Sequence, residues 1–516
     1  MHVISVNEMR RLDAAAIAAG VSGEQLMFNA GAHAAEEILR FVERYPLRHR
    51  QSFTILAGKG NNGGDAWVVA DVLMQKGHRV ALFSTCPIAQ LPEAAAYHAS
   101  KLPTEASVTF LADAEQGLPA AALAPGTIVI DGLLGTGLRG EPTGIYARLI
   151  AQVNASGLPV IALDIPSGLN GDTGNGDLAI TADLTVTMAY PKIGLLTGAG
   201  PQHCGLIRVV DIGLPEPVAD TAAPIAAAFA EADARGFLAR RPFHAHKNTF
   251  GHVLCVAGAR QYPGAPFLAG EAALRSGAGL VTVAVPAGVA CPPHAKALIV
   301  AKIGSEHDAV FSANLLPAVQ ELLTGKNALL YGPGTGRDPG PDLLRLLLAA
   351  QRPIVIDADG LRLLAAHPEL LTHDKASAPV ILTPHPGEMA ALLTGFQLTE
   401  LLHEPRPEQA KALAAATGAI VVLKGQGTII AAPGAALPTY NLSGSPALAT
   451  AGTGDVLAGM IAAFLAQGLA PVNAAALAVF VHGHAADLAP APQRGLIADD
   501  LLALIPTAMA DLNPLA

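Results

Sequence analysis

The sequence predicts an α/β protein of two domains, each a mostly parallel sheet between helices. Three observations carry this prediction. The chain has 516 residues, more than a single hydrophobic core keeps growing to accommodate. Its 53 glycines and 39 prolines punctuate short apolar runs, which reads as many brief strands and helices joined by turns. Several of those runs end in an acid followed by a glycine loop, as expected of parallel strands whose carboxyl ends line a crevice.

Composition narrows the function classes. Apolar residues make up 51% of the chain and charged residues 14%, far from a disordered composition. The 32 Lys and Arg against 42 Asp and Glu give a net charge of -10, and without a basic block nucleic acid is not an expected partner. Cys86, Cys204, Cys255 and Cys291 lie too far apart for a CxxC zinc or redox pair, and each reads as a small core residue. The N-terminal run MHVISVNEMRRLDAAAIAAG has its charges inside the apolar pattern, so it does not read as a signal peptide. Long apolar stretches are interrupted by Gly, Asp, His or Pro before they reach the length of a membrane span. The expected location is the cytoplasm, with no membrane partner.

Taken in order, residues Val6 to Glu43 read as two helices. Met9, Leu12, Ala16 and Ile17 share one face, and Leu26, Ala30, Ala34, Ile38 and Val42 another, split by the Gly20 to Gly23 turn. Phe53 to Leu56 reads as a strand, Gly58 to Asp65 (GKGNNGGD) as a glycine loop and Ala66 to Gln75 as a helix. The loop has neither P-loop nor GxGxxG spacing. A tight turn accounts for it. So does a site for a hard cation or ribose hydroxyls, because Asn61, Asn62 and Asp65 set three oxygen acceptors beside the glycines. Thr127 to Ile130 leads into Asp131 and GLLGTGLRGE, and Val160 to Leu163 into Asp164 and IPSGLNGDTG. Three such loops predict a ligand crevice at the strand carboxyl ends.

GKGNNGGD, DGLLGTGLRG and ALDIPSGLNGDTG resemble the signature loops of the NAD(P)H-hydrate epimerases, and the run up to LMFNAG resembles that domain's helical start. The resemblance implies a Rossmann-like three-layer domain over residues 1–218. It implies that Asn61, Asn62, Gly63, Gly64, Asp65, Gly135, Thr136, Gly137, Leu138, Arg139, Gly140, Glu141 and Asp164 contact the damaged nucleotide. It further implies that Asn62, Asp131 and Ser167 help hold a potassium ion. The chain departs from the family pattern at Ala66, where glycine is usual and alanine is expected to open the helix. It departs again at Phe28, where glutamate is usual and a polar contact is lost.

After Val209 and Ile212, GLPEPVADTAAPIAAAFAEADARG is rich in Pro and Ala without a long apolar period, which places a linker near Pro215 to Ala223. The carboxyl half holds no copy of the first-half loops, so the chain reads as a fusion rather than a duplication. Its strands are expected at His252 to Val256, Leu280 to Val285, Ala328 to Leu330, Pro353 to Ile356, Pro379 to Leu382 and Ile420 to Leu423. The loops between them are HAHKNTFGH (His244 to His252), YGPGTG (Tyr331 to Gly336), DADGL (Asp357 to Leu361), TPHPGE (Thr383 to Glu388) and KGQGT (Lys424 to Thr428).

The stretch from Ala451 to Gly468, AGTGDVLAGMIAAFLAQG, places a carboxylate where a glycine turn opens a helix. Val456, Leu457, Met460, Ile461, Phe464 and Leu465 recur at helical spacing, and Gly468 follows as a stop. Gly452 and Gly454 let a ligand approach the backbone, and the helix N-terminus is a ready anion site. Asp455 reads equally as a first-turn acid favoured by the dipole and as a general base that takes a hydroxyl proton while the N–H groups stabilise a phosphoryl group in transfer. Lys424 reads as a solvated strand end or a phosphate partner. His385, between two prolines, reads as a polar surface group or, with Glu388 nearby, as a substrate contact. His482 and His484 read as a cap on the preceding helix, since no third ligand at zinc spacing accompanies them.

Together with AGTGD, these loops resemble the ribokinase-like dehydratase that partners the epimerase, and the two halves occur in the order of the bacterial fused enzymes. This second resemblance implies a ribokinase-like three-layer domain over residues 222–516. It implies Asp455 as the catalytic residue and Ala265, Gly334, His385 and Asp455 as dehydratase substrate contacts. Lys424, Gly425, Gln426, Gly427, Thr428 and Gly454 are the implied ADP contacts. Potassium and magnesium are the expected cofactors, ADP the co-substrate, NADH and NADPH hydrates the substrates, and a homo-oligomer the expected assembly. Asn248 and Ala451 stand where glycine is usual. The implied division of labour is that the first domain equilibrates R and S hydrates and the second dehydrates the S form, whose poor hydroxide leaving group is phosphorylated first. Two rivals remain. One is a kinase that simply phosphorylates a sugar or vitamin alcohol, against which the TPHPGE loop and the epimerase-like half argue. The other is a first domain that only binds, against which Asp131 and Asp164 argue.

Overall fold

The structure is a computed structural model that describes residues 1–44, 52–104, 106–111, 117–293, 295–336, 340–371, 378–489 and 494–515. The chain divides into two compact units, Met1–Ala228 and Phe229–Ala516.

In chain order the strands of the first unit are β1 (His2–Val3), β2 (Ser52–Ala57), β3 (Arg79–Ser84), β4 (Ser107–Phe110), β5 (Thr127–Gly132), β6 (Val160–Leu163), β7 (Leu184–Met188) and β8 (Leu206–Val210). At the boundary, β9 (Ala226–Phe229) pairs antiparallel with β1. The main sheet runs β4-β3-β2-β5-β6-β7-β8, with all its pairs parallel. Such a sheet must be covered on both faces, and its side chains show it. Ile128 and Ile130 of β5 enter one core with helices Val6–Ala18, Gly23–Arg44 and Asn61–Gln75, while Val129 enters a second core with Leu149, Ile150 and Val153 of helix Gly144–Ser156. This is the three-layer Rossmann-like arrangement. The strand order reverses between β2 and β5, so the loops after these strands diverge and leave a crevice between them.

One element begins earlier than its composition indicates. The helix expected from Ala66 starts at Asn61, so Asn61 to Asp65 form its first turns rather than a loop, and Ala66 lies within the helix instead of opening it. Close packing outweighs the low helix propensity of Gly63 and Gly64. A Cβ on Gly63 would lie 1.9 Å from the Gly58 carbonyl oxygen, and one on Gly64 would lie 2.5 Å from Met27.

The second unit contains β10 (His252–Val256), β11 (Leu280–Pro286), β12 (Ile299–Ile303), β13 (Ala328–Tyr331), β14 (Ile354–Ile356), β15 (Val380–Leu382), β16 (Ile420–Leu423), β17 (Ile429–Ala431) and β18 (Thr439–Asn441). They run in the order β18-β17-β16-β15-β14-β13-β10-β11-β12. From β16 to β12 the pairs are parallel, and β17 and β18 add antiparallel strands at one end. The reversal here falls between β10 and β13, and Gly258 N–H crosses it to the Pro333 carbonyl at 2.9 Å. Helices Ala265–Arg275, Thr453–Ala466, Pro471–Asp487 and Ala498–Leu512 share one core with the sheet. Helix Thr453–Ala466 is buried all round from Val456 onward, as an all-apolar helix must be. Gly459 makes its crossing possible, because a Cβ there would lie 2.0 Å from the Ala269 carbonyl oxygen.

Two further expectations are revised. The stretch expected as a linker is folded: it includes helix Glu216–Ala219, Arg11 donates to the Thr221 carbonyl at 2.8 Å, and the Glu8 carboxylate accepts from Ala223 N–H at 2.8 Å. Cys291 is exposed, unlike the buried Cys86, Cys204 and Cys255, so it is not a core residue.

Candidate active sites

In the first unit, the crevice is built by the ends of β2, β5 and β6. Asp131, the fifth residue of β5, is fully buried. Its Oδ2 accepts from Ser167 N–H at 2.8 Å, and its Oδ1 accepts from Ser167 Oγ at 2.6 Å and from Leu133 N–H at 3.1 Å. Burial pushes its carboxyl up to about 6, against these hydrogen bonds. Asn62 donates from Nδ2 to the Leu134 carbonyl at 3.0 Å, while its buried Oδ1 has no hydrogen-bond partner. A buried carbonyl oxygen left unpaired is costly, and it fits a bound cation. Asn62 also touches the next loop, since a Cβ on Gly135 would lie 3.1 Å from its own Cβ. The rest of that loop runs to the surface, with Gly137, Arg139, Gly140 and Glu141 exposed.

Asp164 follows β6 in the left-handed region at φ 62°, a strained setting for a residue with a side chain. It is held there by Lys192, whose ammonium donates to Asp164 Oδ1, to Thr187 Oγ1 at 3.1 Å and to the Met188 carbonyl at 3.0 Å. Lys192 was not singled out by sequence reasoning. Its signal is faint, a lysine in PKIG after an apolar strand. Asp65, on helix Asn61–Gln75, completes the acid group and is pushed well above the usual carboxylate range by burial, then by Asp164 and Asp13. Phe28 stands half-exposed with its ring stacked on His98, 6.3 Å between centroids.

In the second unit, the loops after β10 and β13 bring Ala265 and Gly334 together: a Cβ on Gly334 would lie 3.2 Å from that of Ala265. The loops after β14, β15 and β16 bring acids around one lysine. Lys424 Nζ donates to Asp357 Oδ1 at 2.7 Å and lies 4.0 Å from Glu388 Oε2. Although burial alone would lower it, Asp357 and Glu388 hold the ammonium above its usual range. Thr383 Oγ1 donates to the same Asp357 oxygen at 2.8 Å. Asp357 was visible in the sequence only as part of DADGL, yet it directly follows β14.

His385 caps helix Pro386–Gly395. Its Nδ1 accepts from Gly387 N–H at 3.0 Å and Glu388 N–H at 3.2 Å, and its own N–H donates to Glu388 Oε2 at 2.9 Å. This reciprocal cap fixes Glu388 beside Lys424. Arg406, also missed by sequence reasoning, clamps the KGQGT turn by donating to the carbonyls of Leu423, Lys424 and Gln426 at 3.2, 3.2 and 2.7 Å.

Helix Thr453–Ala466 opens on Gly452 at φ 89° without a side-chain cap, so its first N–H groups remain open to a ligand. A Cβ on Gly454 would lie 3.4 Å from Lys424 Nζ and 4.0 Å from Asp357 Oδ2, which brings the glycine turn against the lysine. Asp455, in the first turn, is pushed up to about 7 by burial and then by Asp357, with Lys424 opposing. The two histidines do not cap a helix end. They lie inside helix Pro471–Asp487, where His482 Nε2 bonds the Thr453 carbonyl at 2.9 Å and His484 Nε2 bonds Asp511 at 2.8 Å. Burial drives His482 down to about 4, so it is neutral and donates to Thr453, bracing the turn beside Asp455.

Fold and crevices together define an α/β protein with acids gathered about one lysine at an uncapped helix start in one unit and an acid-rich crevice in the other. Residues 23–194 match the model of the YjeF-related protein N-terminus, and residues 253–507 match the NAD(P)H-hydrate dehydratase model. The Moorella thermoacetica bifunctional NAD(P)H-hydrate repair enzyme Nnr is 37% identical over 523 residues, spanning 99% of this chain and 97% of its own. Its Escherichia coli counterpart is 34% identical, spanning 94% and 89%. Among solved structures, an ADP/ATP-dependent NAD(P)H-hydrate dehydratase from Bacillus subtilis, co-crystallized with ATP/Mg2+, is 30% identical over 56% of this chain and 99% of its own, with a TM-score of 0.43. A ribokinase-like superfamily protein from Enterococcus faecalis is 28% identical over 55% and 96%, with a TM-score of 0.48. The chain belongs to the family of bifunctional NAD(P)H-hydrate repair enzymes.

Proposed function

We propose that the first unit interconverts the R and S epimers of NADH and NADPH hydrates and that the second dehydrates the S epimer at the expense of ADP, releasing AMP and phosphate. The observation that carries this reading is Asp455: a carboxyl pushed up to about 7 at an open helix N-terminus, with Lys424 and Asp357 alongside. A base with a pKa near the working pH is best suited to take a hydroxyl proton. In this reading Asp455 takes the proton of the hydrate's hydroxyl as the phosphoryl group arrives, and the ring nitrogen then expels phosphate. Gly452 to Gly454 and Lys424 to Thr428 hold the nucleotide phosphates, and His385, Ala265 and Gly334 hold the hydrate.

Magnesium, when bound, neutralises charge on the phosphates. Asp357 would hold it through Oδ2, the carboxylate oxygen without a hydrogen bond among the described residues, because Oδ1 already serves Lys424 and Thr383. Potassium would be held in the first unit by the unpaired Asn62 Oδ1 with Asp131 and Ser167, an all-oxygen set of the hard type. Asn61 to Asp65, Gly135 to Glu141 and Asp164 are the proposed contacts to the hydrate there.

Incubating the enzyme with mixed NADH hydrates, and omitting ADP, ATP and potassium one at a time, tests the whole reading. Full conversion is expected with ADP and potassium, and accumulation of both epimers without nucleotide. Loss of the hydrates without any nucleotide would overturn it.

A further inference from the structure

Helix Val6–Ala18 carries two polar side chains three residues apart, hence on one face, that reach the first unit's crevice. Arg10 donates to the Thr136 carbonyl in the loop after β5. Asp13 is half-buried and lies within electrostatic reach of Asp164 and Lys192, as Asp65 does of Asp13. The ammonium that faces these acids is fully committed: Lys192 has no exposed surface, and its three N–H groups go to Asp164, Thr187 and Met188. It therefore compensates Asp164. Asp65 is only 8% exposed, and among the described residues neither its carboxyl nor that of Asp13 has a hydrogen-bond partner. A buried and a half-buried carboxyl, neither with a partner, call for a proton or a ligand.

Their environments separate them. Burial, then Asp164 and Asp13, raise Asp65 well above the usual carboxylate range, which favours its protonated form. Burial pushes Asp13 only to about 6, with Lys192 opposing and Asp164 adding, so it is mostly ionised. Adjacent groups whose environments drive them apart supply an acid and a base in one place.

We propose that Asp13 is the catalytic base and Asp65 the catalytic acid of epimerisation, acting on the C6 hydroxyl and the ring nitrogen of the hydrate. The proposal rests on the epimerase reading of this unit. Asp13 takes the hydroxyl proton, and the freed O–H pair becomes the second C6–O bond. The C6–N1 bond breaks, its electron pair stays on nitrogen, and nitrogen receives the proton of Asp65. The product is an open-chain aldehyde bearing an N–H group. Rotation about C5–C6 turns the other carbonyl face to nitrogen, which attacks. Asp65 recovers its proton from nitrogen, and Asp13 returns its own to oxygen. Nothing is consumed, so the step needs no nucleotide.

The test uses the full-length enzyme without nucleotide on R-enriched NADH hydrate, following the S epimer by chromatography. Asp13→Asn is expected to lose about 10²–10⁴-fold of the catalysed exchange, and Asp13→Glu to recover part of it. Wild-type kcat/KM should rise with pH through about 6 as Asp13 ionises, and Asp13→Asn should lose that limb, which a purely structural role would leave in place. A heavy-oxygen label in the hydroxyl should survive epimerisation. Normal exchange in Asp13→Asn, an unchanged acid limb, or label loss that keeps pace with exchange would each overturn the proposal while leaving the epimerase reading intact. If the wild type itself does not accelerate exchange, the epimerase reading fails and the proposal with it.

Discussion

Asp455 is a half-buried acid that costs stability in order to be useful. Its folded pKa is raised, so the native state binds an extra proton from about pH 4 to about pH 7, and the stability this gives is lost as pH rises through about 7. Asp455→Asn should therefore melt higher than the ligand-free wild type at pH 8, by about 1–3 kcal/mol after allowing for solvent near the site, and the gap should close at pH 5. Turnover of the S hydrate should fall about 10²–10⁴-fold. A variant that melts lower and turns over normally would leave Asp455 as a mere first-turn acid. Lys424 offers a second check, since it lowers the Asp455 pKa. In Lys424→Met the acid limb of dehydration should move to higher pH, read from kcat against pH; an unmoved limb would dissociate the lysine from the base. Asp131 and Asp164 were legible because each closes an apolar run ahead of a glycine-rich loop, and Asp455 because a glycine turn precedes it and an apolar helix follows. Lys192, Asp13 and Arg406 were not, because a single charged residue in a helix or loop resembles an ordinary solvated one until the fold buries it.

At the scale of the element, propensity and packing pull in opposite directions on helix Asn61–Gln75. Gly63→Ala should gain up to about 1 kcal/mol by propensity alone. The added carbon would meet the Gly58 carbonyl at 1.9 Å, and overpacking costs about 1–3 kcal/mol. A lowered melting temperature with impaired epimer exchange is expected, and a raised one would show that the turn relaxes freely. This conflict is why the sequence reads as a loop where a helix stands. Strands β2, β5 and β6, each running into a glycine loop, were legible to within two residues. Edge strands β4 and β12 carry exposed residues, and β17 and β18 are three residues each, too short for a period to register. The histidine pair was misread because a helix interior buried against other helices shows no alternation.

On the scale of the molecule, the doubly wound order could be anticipated from acid-ended strands, but the reversal points follow only from which strands pair. Each unit has its own reversal and its own polar group, so the two activities should be separable by mutation without separating the chain. Asp455→Asn and Asp131→Ala, each unable to clear a mixture of hydrates at the wild-type rate, should together restore clearance in one tube. Failure to do so would mean that the hydrate passes between the units without release. The folded stretch at residues 215–223 carries a different consequence. Proteases cut where backbone can unfold into an extended strand, and here Thr221 and Ala223 are tied by Arg11 and Glu8 to the first helix of the chain. Subtilisin should spare this segment in the native enzyme, and Glu8→Ala with Arg11→Ala should expose it to nicking, so that the amino-terminal helix serves as a clasp on a segment it lies far from in sequence.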